Sequence, residues 1–376
     1  MPKRRRHPAI RSEQKSRPGA LWFVIGLVVL IAGAVVLLVV FPHWRQVSLP
    51  ANSEPISTGA SHDGKSAPAR RWLEMGDAAV TKRDFNGAIS DYTQAIQSDP
   101  NLAEAFYKRG LVLEENGGDL NAALADFNEA IRLQPHEPHV FYERGNSRYS
   151  RQDYRGAAAD FTEAIRLMPT FADAFSYRAL SRHKLFDFDG AIQDDTDAIR
   201  LKPDAVNYYN RGKERYKKGD LRGAIQDFGD AIRLKPDFAE AFNDRGLARS
   251  DAGDVNGAVN DCIEAITLKP DLGAAFNNLG NIREREGDID GALRDYEQMV
   301  RLFPDNAVGY GNRGTVRFKK GDIDGALADY DRAIKLDYKF AQVYYDRSRA
   351  RRQKGDAAGA DSDYKESISL GYTPPK

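Results

Sequence analysis

The sequence predicts an all-α fold, a solenoid of nine helical hairpins preceded by one transmembrane helix. Three observations carry that expectation. Pro100, Pro135, Pro169, Pro203, Pro236, Pro270 and Pro304 recur at intervals of 35, 34, 34, 33, 34 and 34 residues, the mark of stacked repeats. Each repeat sets an aromatic residue one helical turn ahead of a small one, as in Phe141 and Gly145, so that a second helix can approach closely. Residues 20–41 near the amino terminus form one uncharged stretch.

The chain has 376 residues, 41% hydrophobic and 29% charged, which excludes a disordered or fibrous protein. Its one cysteine, Cys262, rules out an intrachain disulfide and says little about redox compartment.

Residues 1–19 read as a basic tail, with Lys3, Arg4, Arg5, Arg6, Arg11, Lys15 and Arg17. The uncharged stretch of residues 20–41 would rise about 33 Å as a helix, against a hydrocarbon layer of roughly 30 Å. A cleaved signal peptide would have a shorter apolar core and a small-residue cleavage site, whereas this stretch ends in the bulky run Leu37 to Phe41. The basic bias before the span predicts a cytoplasmic amino terminus, a signal-anchor and repeats on the exported side, as in a bacterial inner-membrane protein facing the periplasm. Residues 42–68, rich in Ser, Pro, Ala and Gly, read as a flexible linker.

Residues 1–68 hold nine of the 55 basic and three of the 55 acidic residues, so the rest carries 46 basic and 52 acidic, a net of about −6. A mildly acidic body argues against nucleic acid as the partner. The basic tail is better matched to anionic lipid, making the bilayer a second partner through residues 20–41.

The repeat body spans residues 69–374, its units beginning near residues 69, 103, 138, 172, 205, 239, 273, 307 and 341. In each first helix the fourth residue is aromatic and the eighth is Gly, Ala or Ser. A turn of the form Gly219-Asp220-Leu221-Arg222-Gly223-Ala224 follows: glycine ends the first helix and aspartate caps the second. The second helix repeats the spacing of Ala224, Phe228 and Ala231 before the proline. Asp195 and Cys262 stand where a ring is usual, and Ser362, Ser367 and Ser369 soften the last helix as a terminal cap would.

An aspartate column runs through all nine second helices, from Asp91 and Asp126 to Asp363, and an arginine column through seven first helices, including Arg144, Arg178 and Arg211. The expected relation is a carboxylate facing a guanidinium on a neighbouring first helix. A metal-binding ladder is excluded because ligands must converge within about 2.0 to 2.6 Å of one ion. His136, His139 and His183 are scattered, and no HExxH, CxxC, nucleotide-binding glycine loop or Gly-x-Ser-x-Gly elbow is present. The expectation is a protein that is not an enzyme and holds no cofactor and no metal, with Cys262 a small core residue.

The Ala-x-x-x-Phe-x-x-x-Pro spacing at a 34-residue period resembles the tetratricopeptide repeat (TPR) family over residues 69–374. The resemblance implies a right-handed superhelical solenoid of nine TPR-like hairpins, with a concave groove of first helices that binds peptides or partner proteins. Its groove-facing register falls on Tyr142, Asn146 and Tyr149 in unit three and on Tyr209, Lys213, Tyr216 and Lys217 in unit five, with Asn210 adjoining. In later units it falls on Asn243, Asn277 and Asn281, with Asn278 and Asn312 adjoining. Amides there can both donate to and accept from a peptide backbone, while tyrosines add contact area. Some members of the family grip a terminal carboxylate with basic and asparagine residues at the fifth and ninth positions, where this chain has Tyr142 with Asn146 and Asn277 with Asn281. The expected function is a membrane-anchored, non-enzymatic interaction scaffold, and the alternative an envelope spacer or glycan-binding module.

Overall fold

In a computed structural model, residues 66–117 and 119–374 are described, and they form eighteen α-helices in nine antiparallel pairs. The first helices of the pairs are α1 (Ser66–Thr81), α3 (Ala103–Glu115), α5 (Pro138–Ser150), α7 (Ala172–Lys184), α9 (Ala205–Lys217), α11 (Ala239–Asp251), α13 (Gly273–Arg285), α15 (Ala307–Lys319) and α17 (Ala341–Lys354). The second helices are α2 (Phe85–Ser98), α4 (Leu120–Leu133), α6 (Tyr154–Leu167), α8 (Phe188–Leu201), α10 (Leu221–Leu234), α12 (Val255–Leu268), α14 (Ile289–Leu302), α16 (Ile323–Leu336) and α18 (Ala357–Ser369).

Each second helix starts on an aspartate whose carboxylate accepts a hydrogen bond from the amide three residues on, as Asp220 does from Gly223 at 2.9 Å. Such caps are worth about 1 kcal/mol each, and they fix where the chain turns back. In units five to nine the residue before the cap is a glycine in a left-handed conformation, as at Gly219 with φ of 81°. Units one, three and four put Arg83, Gln152 and Phe186 there instead, at φ near 60°.

Within a hairpin, a glycine on the first helix receives a ring from the second. A Cβ at Gly145 would sit 2.7 Å from the Phe161 ring. Between hairpins, small residues meet the same rings: Ala224, Phe228 and Ala231 of unit five pack with Ala241 and Ala248 of unit six. The core is therefore a continuous seam through the stack, and no unit closes it alone. Successive first helices touch one another, as α9 does α11 and α11 does α13, while second helices make no comparable contact, which sets the first helices on the inner, concave side. In the last helix Ser362 and Ser369 are exposed as a cap requires, but Ser367 is wholly buried and donates to the Tyr364 carbonyl at 2.7 Å.

Membrane anchoring is corrected. No helix among the described residues is long and apolar enough to cross a membrane. The longest has 16 residues, about 24 Å of rise against roughly 30 Å of hydrocarbon. The transmembrane helix expected over residues 20–41, the basic tail of 1–19 and most of the linker of 42–68 lie outside the described residues. Among the described residues the fold is the all-α solenoid alone. The signal-anchor, the bilayer as partner, the cytoplasmic start and the exported, periplasm-facing placement all hung on that span and have no support in the described structure.

Candidate peptide-binding groove

The groove's backing is set by the arginine and aspartate columns. Arg178 on α7 and Asp194 on α8 make two parallel bonds, Nε to Oδ2 at 2.9 Å and Nη2 to Oδ1 at 2.6 Å. All seven column arginines pair in this way with the aspartate of their own hairpin. The expected link to a neighbouring unit comes from the remaining nitrogen, Nη1, which at Arg178 reaches Thr162 of the preceding unit at 3.1 Å. Sequence reasoning missed a second arginine one turn on: Arg182 Nη1 donates to Asp194 Oδ2, the oxygen that Arg178 Nε also holds, at 2.7 Å and to the turn carbonyl of Gly190 at 3.2 Å. The i, i+4 spacing of Arg178 and Arg182 was the available signal. Among the described residues no group of His, Cys, Asp or Glu converges to hold a metal.

The first helices carry two ladders of hydrogen bonds between units. In one, the fifth residue of a helix meets the sixth of the next. Tyr209 donates to Asp244 at 2.7 Å, Asn278 to Asn243 at 3.0 Å and Asn312 to Asn277 at 2.9 Å. In the other, the twelfth meets the thirteenth: Tyr216 donates to Asp251 at 2.5 Å, and Lys319 donates to Glu284 at 2.7 Å. These contacts order the groove wall and occupy several groups that the sequence register assigned to a ligand.

Tyr209 is only 8% exposed, its ring between Phe228 and Phe238 at 5.8 and 4.8 Å, with Lys213 Nζ 5.2 Å from its centroid. Lys217 is exposed, 5.2 Å over the Phe188 ring and 3.5 Å from His183 Nε2. Asn243 is buried and also donates to Asp244 at 2.9 Å, while the side chain of half-buried Asn210 makes no hydrogen bond among the described residues. Asn281 accepts from Tyr296 at 2.6 Å.

In unit three, Tyr142 packs on Phe171 and Tyr177, and Tyr149 on Tyr154. Asn146 donates to Glu143 at 3.1 Å, and its own oxygen is buried without a partner. Burial lifts the Glu143 carboxyl to about 7, opposed by the Asn146 bond. Burial also lifts Glu114 to about 7, opposed by the Ser147 hydroxyl and aided by the Glu143 charge. The structure therefore sets Tyr142 on Phe171 and Tyr177, Asn146 on Glu143, Tyr209 beside Lys213, and the later asparagines in pairs, as separate stations.

A cleft of about 400 Å³ opens on α11, α13 and α15, lined by Leu247, Asp251, Asn278, Asn281, Ile282, Glu284, Arg285 and Lys319. The donor of Asn278 and the acceptor of Asn281 are taken. The Asn278 carbonyl and the Asn281 amide N–H groups make no hydrogen bond among the described residues.

A tetratricopeptide repeat family profile matches residues 73–138, 142–206 and 244–307, more than half of the chain, and a second TPR repeat profile matches 212–253 and 314–355. A tetratricopeptide repeat protein from Parabacteroides merdae is 18% identical over 63% of this chain and 94% of its own, with a TM-score of 0.53. A chain of the APC/C Cut9–Hcn1 hetero-tetramer is 19% identical over 76% of this chain and 56% of its own, at 0.51. These similarities show the fold alone. YrrB, described as a TPR protein with an unusual peptide-binding site, is 23% identical over 49% of this chain and 95% of its own, at 0.45. No curated protein matches the chain. The chain belongs to the tetratricopeptide repeat family, a family of non-enzymatic protein- and peptide-binding scaffolds.

Proposed function

We propose that the concave face holds an extended segment of a partner protein, with the cleft on α11, α13 and α15 as its principal station. The observation that carries this reading is the pair of open amide groups there. The Asn278 carbonyl can accept from a peptide N–H and the Asn281 amide can donate to a peptide carbonyl. Leu247 and Ile282 offer apolar area, while Glu284, Arg285 and Lys319 ring the cleft with both signs of charge.

The test compares two faces. A photo-crosslinking side chain at Arg285, in the cleft, should capture a partner through one segment of its sequence. The same group at Gln226, exposed on α10, should not. Capture at Arg285 should fall in the Asn278→Ala, Asn281→Ala double variant. Equal recovery from both faces, or undiminished recovery by the double variant, would remove the cleft as the binding station.

A further inference from the structure

One junction in the stack sets two buried acids where the others set a ring or thiol against an apolar residue or a serine. At four junctions a second-helix ring and the tenth residue of the following first helix share an apolar cluster: Tyr92 with Val112, Phe228 with Ala248, Tyr296 with Val316, Tyr330 with Ala350; the tenth place after Phe127 and Phe161 is a buried serine, Ser147 and Ser181. Between units four and five the same two places hold Asp195, 1% exposed, and Glu214, 3% exposed. One oxygen of each, Asp195 Oδ1 and Glu214 Oε2, is buried without a hydrogen-bond partner. The hairpin adapts to the missing ring, since Ala179 replaces the glycine that receives one elsewhere.

The neighbouring charges leave this pair unanswered. On α7, Arg178 and Arg182 are committed to Asp194. Arg211 on α9 and Arg215 one turn later are committed to Asp227 of α10. On α11, Asp244 and Asp251 are taken by Tyr209 and Tyr216. Among the described residues only His183 makes a hydrogen bond to the pair, its Nδ1 2.5 Å from Glu214 Oε1, and its Nε2 faces Lys217 at the groove surface.

We propose that the junction of units four and five is a proton-gated joint, closed while Asp195 keeps its proton and opened when that proton leaves. With the proton in place Asp195 is neutral, and Glu214 keeps its contact with His183 Nδ1. Without it two buried anions face one another and only one has a partner, a repulsion that low-dielectric surroundings magnify. Burial, then the Glu214 and Asp194 charges, push the Asp195 carboxyl well above its ordinary range, while Arg211 opposes them. A proton held in the folded chain and lost in the unfolded one gives stability that is complete below the ordinary carboxylate range. That stability is lost as pH rises toward the folded value. Open, the joint divides the solenoid into units one to four and units five to nine.

Hydrogen exchange of the full chain tests this, with rates corrected for the intrinsic effect of pH. Between about pH 5 and about pH 9, protection across residues 188–217 should fall at least about tenfold more than across residues 221–251, which hold the ordinary Phe228–Ala248 junction. Asp195→Asn, which cannot ionise, should remove the difference. If that variant does not fold, Asp195→Phe with Glu214→Ala and Ala179→Gly restores both the ring-on-alanine contact and the glycine that receives the ring, and should remove it too. Equal pH dependence at the two junctions of the native chain, or a dependence that survives in whichever variant folds, overturns the proposal.

Discussion

Arg178 and Asp194 hold the two helices of unit four in a fixed relation, and the pair is nearly dry: the guanidinium is 12% exposed and the carboxylate 1%. The same guanidinium lies 5.4 Å from the Phe175 ring centroid and reaches Thr162 of the unit before. One arginine thus ties a ring, its own hairpin and the preceding unit. Unit seven has Leu279 in that place, and its carboxylate, Asp295, keeps only Arg283. Burial there lifts the Asp295 carboxyl to about 6, against the pull of Arg283.

Arg178→Leu should therefore make Asp194 behave like Asp295. Removing one partner from a buried pair costs about 3 to 5 kcal/mol, and Arg182 should hold the loss near the lower figure. The sign with pH is definite. A raised folded carboxyl gives stability that is present below about pH 4 and lost as pH rises toward about 6. The variant's deficit in urea denaturation should widen across that interval. A deficit independent of pH would show that Asp194 does not depend on Arg178 for its charge.

Gly145→Ala should destabilise the chain by about 1 to 3 kcal/mol, because the added Cβ meets the Phe161 ring at 2.7 Å. Helix propensity alone predicts a gain of about 1 kcal/mol, so the sign discriminates. Unit four supplies the internal control: Ala179 is tolerated where Asp195 has replaced the ring. Ala179→Gly should lose about 1 kcal/mol, the propensity term alone.

The repeat body was legible in the sequence because its determinants are local and recur: the caps Asp220 and Asp254, the glycines under rings, and the proline period. The aspartate and arginine columns were legible too, but not that Arg178 and Asp194 belong to one hairpin. That depends on how two helices 16 residues apart in sequence are rotated. The groove was less legible. Asn243 and Asn278 read as open amides, yet stacking brings the fifth place of one helix against the sixth of the next, and they bond to one another. Tyr209 read as contact area and is a core ring. The membrane reading rested on hydropathy over residues 20–41, a local signal that no described helix repeats.

Phe186→Gly should raise stability by about 1 kcal/mol. Phe186 holds φ of 64°, a left-handed conformation that disfavours side chains with a Cβ, and its ring is 80% exposed, so little packing is lost. Unit five meets the same turn with Gly219 at φ of 81°. A calorimetric scan of the two chains measures the shift. Unchanged or lower stability would mean that the Phe186 contact with Phe188, at 6.2 Å between ring centres, outweighs the strain.

Cys262 should resist thiol reagents until the chain opens. It is fully buried in the ring position of unit six, among Ala258, Leu279 and Ile282. Burial pushes its thiol up to about 12, and the Asp261 and Asp295 charges add to the rise. Against an ordinary thiol near 9, that leaves about a thousandfold less thiolate at pH 8, and thiolate is the form that reacts. A disulfide reagent at pH 8 should therefore label the folded chain at least about a thousandfold more slowly than the chain in concentrated urea. Intermediate urea should bring the labelling rate up along the unfolding transition, because reaction then proceeds through the open population. Rapid stoichiometric labelling in native buffer would mean that the seam between units six and seven opens readily, and that Cys262 does not lie in a closed core.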